Sequence, residues 1–178
     1  MNREKEYEEY IDGLAFAQEA LEEADEVIKY GEALLDAHWD FHKTNVREAF
    51  ASEGNNFDSE HFHNVIWELS TNILDEKEVS VIVDRDNQLF ISKGTRSFVD
   101  YESESVKGMK IPLRCWIHTH PFGQAYFSGT DWMTINNQKP ILESAIVLGD
   151  RQKMKWWKQY GKEQLCRIHM IQLDDSEE

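Results

Sequence analysis

His118-Thr119-His120-Pro121 is the stretch of this chain best equipped for chemistry. Two histidines at i and i+2 near a strand end point to the same side of a sheet, so both imidazoles can reach one metal ion. Asp131, at the start of a helix after a compact loop, can return as a third ligand. Two nitrogens and one carboxylate oxygen, with a fourth position left for water, form the pattern of a catalytic zinc rather than a structural one. Water in that position has its pKa lowered to ~7. Each piece also has a plainer reading. Ser128-x-x-Asp131 is a capping-box variant at a helix start, and two strand histidines taken alone are ordinary surface residues. The joint spacing of all four residues favours the metal site.

These residues need a strand before the loop and a helix after it. Ile111–His118 reads as that strand, Pro121–Thr130 as the loop and Asp131–Gln138 as the helix. Upstream, Phe62, Ile66, Leu69 and Ile73 share one face of a helix that Asp58 or Ser59 can cap. The period then falls to two. Glu78–Val83 is a β-branched strand, residues 84–87 a turn and residues 88–92 a returning strand. Residues 101–110 are a polar loop. Strands over 142–148, 152–160 and 164–173 close the chain, with turns at Gly149-Asp150 and Gly161-Lys162. Residues 4–50 read as helix, with Leu14, Ala17, Leu21, Ala24, Ile28, Gly31 and Leu35 in a 3–4 seam of alternating large and small residues. Tyr30-Gly31 leaves a hairpin break open. The class is α+β. The division is 1–55, an acidic helical segment, and 56–178, the domain that carries the chemistry.

Composition narrows the function. Hydrophobic residues are 40% and aromatics 12% of 178 residues, enough for a real core. No apolar run reaches the ~20 residues of a membrane helix. Met1-Asn2-Arg3-Glu4-Lys5-Glu6 has no apolar core behind it, so no secretory signal is expected. Two cysteines, Cys115 and Cys166, cannot form a disulfide framework or a four-cysteine zinc site, and a reducing, cytoplasmic location follows. The net charge is −15 and is concentrated. Residues 1–60 hold 5 Lys/Arg against 17 Asp/Glu, while the rest hold 14 against 17. Nucleic acid, which needs a basic surface, is not an expected partner. The acidic segment is either a solvated face or an attraction for a basic protein.

His118-x-His120-Pro121, then Ser128-x-x-Asp131 after seven intervening residues from the second histidine, resembles the motif of the JAMM (MPN-plus, JAB domain) zinc metalloproteases. The resemblance covers roughly residues 58–173. It implies a curved mixed sheet flanked by helices, with the N-terminal helical segment as an addition. It implies one zinc per chain, held by His118, His120 and Asp131. It also requires an upstream glutamate on the first strand after a helix. Glu78 fits this place, with Glu68, Glu76, Glu102 and Glu104 as competitors. By the resemblance, Glu78 takes a proton from the attacking water and passes it to the leaving amine. Ser128 donates a hydrogen bond to the oxyanion. The implied substrate is the C-terminal glycine of a ubiquitin-like protein joined to an amine, with the tail bound partly as an added strand. Only 47 residues follow Asp131. A long insertion does not fit there, so the compact archaeal, bacterial or viral type is expected.

Two other classes remain. One is a metallopeptidase of another pathway, such as a phage tail or cell-wall component or sulfur-carrier processing. The other is an interaction module in which residues 1–50 dock a partner or a second copy. A zinc nucleobase deaminase is set aside, because His-x-Glu and Pro-Cys-x-x-Cys are missing. His38-x-x-x-His42 has the i, i+4 spacing of helical zinc ligands but lacks the following glutamate of a His-Glu-x-x-His protease. His61 and His63 straddle a helix face without obvious partners. Cys115 reads as a small buried residue. Trp116, Trp132, Trp156 and Trp157 read as core or sheet surface, with one or two beside a substrate groove.

Overall fold

The computed structural model describes residues 3–94 and 108–169, with side chains described at Gln18 and from Ala20 onward. The side chains of Leu14 and Ala17, the glutamates Glu102 and Glu104, residues 101–107 of the polar loop and residues 170–178 lie outside the described residues. The chain divides into two compact units, Met1–His42 and Lys43–Glu178.

Helix α1 runs from Arg3 to Ser52 without a break at Tyr30-Gly31. One glycine costs a helix only ~1 kcal/mol, and the surrounding Ala, Leu and Glu are good helix formers. In the first unit the seam residues Leu21, Ile28 and Leu35 are exposed. The last turns of α1 belong to the second unit. Val46, Ala49 and Phe50, at helical spacing, are buried there, and the Phe50 ring packs on Phe62 with centroids 4.9 Å apart.

Helix α2 spans Glu60–Glu68, and Ser59 caps it by accepting from the Phe62 N–H. Phe62 and Ile66 are fully buried, as their period predicts. A π-helical turn, Leu69–Ile73, follows, closed by the Leu74 N–H donating to the Leu69 carbonyl at 3.0 Å. Its i→i+5 bonding moves later residues out of the α register. Ile73, expected on the apolar face, is therefore 41% exposed.

The strands are β1 (Val79–Val83), β2 (Leu89–Lys93), β3 (Cys115–Thr119), β4 (Ser144–Gly149), β5 (Gln152–Gln159) and β6 (Lys162–His169). They form one mixed sheet in the order β2-β1-β3-β4-β5-β6. Among the described strands, β3 and β4 pair in parallel and the other neighbours are antiparallel. Helix α3 (Gly129–Gln138) lies between those two strands in sequence, as a parallel crossover requires. The class is thus α+β, with a mixed sheet and three α-helices among the described residues. The strand expected over 111–118 is shorter. Pro112 has no N–H to give a ladder, and Leu113 makes only an isolated bridge to Leu142. Helix α3 begins two residues before Asp131 because Ser128 is its cap.

Every residue of β1, β3 and β4 is buried, so the sheet is covered on both faces. One face packs Ile82, Trp116, Ala145, Val147 and Trp156 with Phe127 and Ile135. The opposite face is tied to the start of α2 by a charged knot. Lys153 Nζ lies 2.8 Å from one Asp58 oxygen and Lys155 Nζ 2.5 Å from the other. His63 completes the knot, with Nε2 2.8 Å from the Phe57 carbonyl and Nδ1 3.4 Å from Lys153 Nζ. Burial and then the Lys153 charge push the His63 pKa down to about 4. His63, without partners in the sequence reading, is a neutral structural residue that ties the helix to the sheet.

The burial of Val46, Ala49 and Phe50 gives a sharp expectation for truncation. A chain starting at Lys43 should fold cooperatively. A chain starting at Ala51 loses three core side chains, and Phe→Ala alone costs about 3–5 kcal/mol of a total of about 5–15. It should lack a cooperative transition in calorimetry. Equal transitions for the two chains would show that this end of α1 is not part of the core.

Candidate metal centre

His118 sits in β3 and His120 one residue beyond its end, on the same face of the sheet. Helix α3 returns Asp131 to them. Asp131 Oδ1 lies 3.2 Å from His118 Nε2, and Oδ2 lies 3.5 Å from His120 Nε2. Two ligands at ~2.1 Å around a tetrahedral ion are about 3.4 Å apart, so these separations suit a zinc-sized site. The ligand atoms of His118, His120 and Asp131 all lie within 4.8 Å of one another, and the three could hold a metal ion.

The donor chemistry agrees with that fit. His118 is 1% exposed, and both its ring nitrogens are buried without a hydrogen-bond partner. The 3.2 Å approach to Asp131 brings charge close but does not line up as a hydrogen bond. Burial lowers the His118 pKa, against the pull of Asp131, which keeps the imidazole neutral and able to ligate. Burial alone would raise the Asp131 carboxyl. The contacts with His118 and His120, and then Ser128, outweigh it and hold the carboxyl below the usual range.

Ser128 and Asp131 do form a capping box. The Asp131 N–H donates to Ser128 Oγ at 3.2 Å, and the Ser128 N–H donates to Asp131 Oδ2 at 2.6 Å. The plain reading and the chemical one are therefore compatible. The box fixes the carboxylate that faces the histidines. In it Ser128 Oγ accepts from the Asp131 N–H, and the Ser128 side chain also helps hold the Asp131 carboxylate charged.

Glu78 immediately precedes β1 and is 7% exposed. Ser80 pairs with His118 in the antiparallel β1–β3 ladder. Continuing that register by one same-face pair sets Glu78 opposite His120. Burial pushes its carboxyl up to about 7, with His120 opposing the shift and Asp131 adding to it. Of its competitors, Glu68 is on the exposed side of α2 and Glu76 is half-buried in the turn.

A buried hydroxyl relay holds the backbone on both sides of Glu78. The Val79 N–H donates to Thr119 Oγ1 at 2.9 Å, and Ser70 Oγ donates to the Lys77 carbonyl at 2.6 Å. Thr119 and Ser70 hydroxyls are 2.7 Å apart. Ser70 has spent its proton on Lys77, so Thr119 is the donor between them. The Glu78 carbonyl accepts from the Gly94 N–H at 2.8 Å. The sequence reading missed Ser70 and Thr119, because nothing local pairs residues 49 positions apart.

It also took Gly149 for a turn residue. A Cβ there would lie 2.2 Å from the Ala125 backbone nitrogen. The loop that carries the chain from His120 to Ser128 lies on Gly149, fixed by bonds from His120 N to Leu148 O, Gly123 N to His120 O and Asp150 N to Gly123 O. The floor of the site is aromatic. The Trp116 ring stacks on His118 with centroids 4.4 Å apart, and its Nε1 donates to Ser80 Oγ at 2.9 Å. Trp116 and Trp156 are core, and Trp132 and Trp157 are half-buried. Cys115 is buried, and burial pushes its thiol up to about 12, so it is not a nucleophile. His38 and His42 face each other on α1 with Nε2 atoms 3.0 Å apart.

Metal analysis of the purified protein should find about one zinc per chain. His118→Ala and His120→Ala should each lower the content well below that. Full occupancy in the double variant would refute the assignment. Gly149→Ala should also weaken metal binding, since the loop must move off the strand. Unchanged affinity there would mean that the loop does not position Asp131.

No protein-family model matches the chain, no curated protein is detectably similar to it, and no solved structure matches it.

Proposed function

We propose that this protein is a zinc-dependent hydrolase of amide bonds, an isopeptidase or peptidase of the JAMM type. The observation that carries this is the placement of a buried carboxyl, Glu78, beside a His118/His120/Asp131 ligand group at one end of the sheet. Structural zinc sites are closed by four protein ligands, whereas three with a nearby acid–base group suit hydrolysis. Bound zinc supplies Lewis acidity to the reacting oxygens.

The protein's own residues do the rest. His118, His120 and Asp131 would hold the ion. A carboxyl beside the ligand group can both take and return a proton, so Glu78 accepts it from the attacking water and delivers it to the departing amine. The hydroxyl of Ser128 donates to the developing oxyanion. The Ser70–Thr119 relay keeps Glu78 from drifting, which matters because a 1 Å misplacement can cost about 10²-fold. The motif's resemblance supports the C-terminal tail of a ubiquitin-like protein as the substrate. Strand β2, the sheet edge next to β1, is where such a tail could add.

A panel of ubiquitin-like fusions, with and without a chelator, tests the reading directly. Chelator-sensitive release of the tail is expected; no turnover on any fusion by the zinc-loaded protein would refute the isopeptidase assignment. Glu78→Gln should keep zinc and thermal stability and lose about 10²–10⁴ in turnover. If it stays active, Glu78 is not the proton carrier. Ser128→Gly separates the two roles of that residue. Glycine costs an N-cap only a few tenths of a kcal/mol, while loss of an oxyanion donor costs about 10²–10³ in turnover. A variant with normal turnover would leave Ser128 as a cap alone.

A further inference from the structure

We propose that the exposed apolar face of α1 between Gln18 and His42 is the docking surface for a basic amphipathic helix of a partner protein. The seam Leu21, Ala24, Ile28, Gly31 and Leu35 is not alone on this face. Val27, Leu34 and Phe41 recur every seven residues along one flank of it. Leu21 is 68% exposed, Val27 71%, Leu35 67% and Phe41 61%. A stripe of this width along about 37 Å of helix is more apolar surface than soluble proteins leave open. Gly31 lies between the large residues, and a Cβ built on it meets nothing within 4 Å. Ala24 and Gly31 therefore form shallow notches that let a second helix approach closely.

Charge decides what the second helix is. Residues 18–42 carry eight acids and one base, Lys29. The acids are spread along the segment, so a second copy meets repulsion whether parallel or antiparallel. The two flanks also differ. Asp25 and Glu32 follow the small seam residues Ala24 and Gly31 and edge one side, where interhelical ion pairs set partner choice in paired helices. The other side is apolar. The fitting occupant has large apolar residues opposite Ala24 and Gly31, lysines or arginines along one edge, and apolar residues along the other. The proposal does not rest on the metal centre, and its test does not depend on turnover.

The test uses the full-length protein and two synthetic 25-residue helices with the same leucine seam. One has lysines along an edge and the other has glutamates there. The lysine helix should bind one per chain with micromolar affinity, and the glutamate helix at least about tenfold more weakly. Binding of the lysine helix should weaken by about tenfold or more in 1 M salt, where the screening length falls to about 3 Å. Ile28→Asp with Leu35→Asp should abolish it. Gly31→Leu raises helix propensity and fills a notch, so it should weaken binding by about tenfold without loss of helix content. Equal binding of both helices, binding of neither, or sedimentation of the protein alone as a stable dimer would each overturn the proposal.

Discussion

A fully buried imidazole with neither nitrogen hydrogen-bonded is the constraint around which the second unit is arranged. His118 is in the middle of the sheet's packing, stacked on Trp116 and flanked by Phe127. Each unpartnered buried polar group costs about 1–3 kcal/mol, a large share of the stability of a domain. A chain held together only by its core has no reason to carry that cost. Leucine or phenylalanine at the same place would pack without it. The orphaned Nε2 makes physical sense where its lone pair has another use, and Asp131 and His120 turn their own polar atoms toward the same point.

Asp131 reaches that point by serving two masters at once. Its carboxylate caps the backbone of α3 through the Ser128 N–H and faces both histidines. The cap removes rotational freedom from the carboxylate before any ion arrives. Gly149 plays the matching part on the sheet side, since only a residue without a Cβ lets the loop lie flat against β4. The burial of Glu78 follows from the same architecture. Its strand enters beneath the Ser70–Thr119 relay, and the desolvation that raises its carboxyl to about 7 is the cost of standing beside the histidines rather than in water.

Much of this was legible in the sequence, for identifiable reasons. His118, His120, Ser128 and Asp131 lie within fourteen positions of one another, and local spacing fixes where such residues go. The strands from Val79 to Val83 and Leu89 to Lys93 showed themselves by β-branching and by a turn of short polar residues. What was illegible is non-local. The π turn after α2 changes the facing of Ile73, and no periodicity announces it. Ser70 with Thr119, Gly149 with Ala125, and His63 with Lys153 are pairings that exist only once the sheet order is set. By sequence the last turns of α1 fall in the acidic 1–55 segment with the rest of the helix. Val46, Ala49 and Phe50 keep the same 3–4 spacing as the seam, so the sequence carries no mark where an exposed stripe becomes a core one.

That continuity bears on how the two units divide the work. A helix normally owes its stability to an apolar face packed on something else. The final turns of α1 have that support from Phe62 and the rest of the core. The segment before His42 lacks it among the described residues, yet it keeps the same apolar spacing and adds a dense negative charge. Charge alone would suffice to keep a solvated helix soluble, and then the large residues on its face would serve no purpose. Apolar contact alone would suffice to pair two copies, and then the acids would oppose it. The combination fits the proposed contact with a surface that is apolar at its centre and positive at one edge. Most of the net charge of −15 is thus carried by one helix, α1, whose residues 3–52 hold 14 Asp/Glu against 5 Lys/Arg.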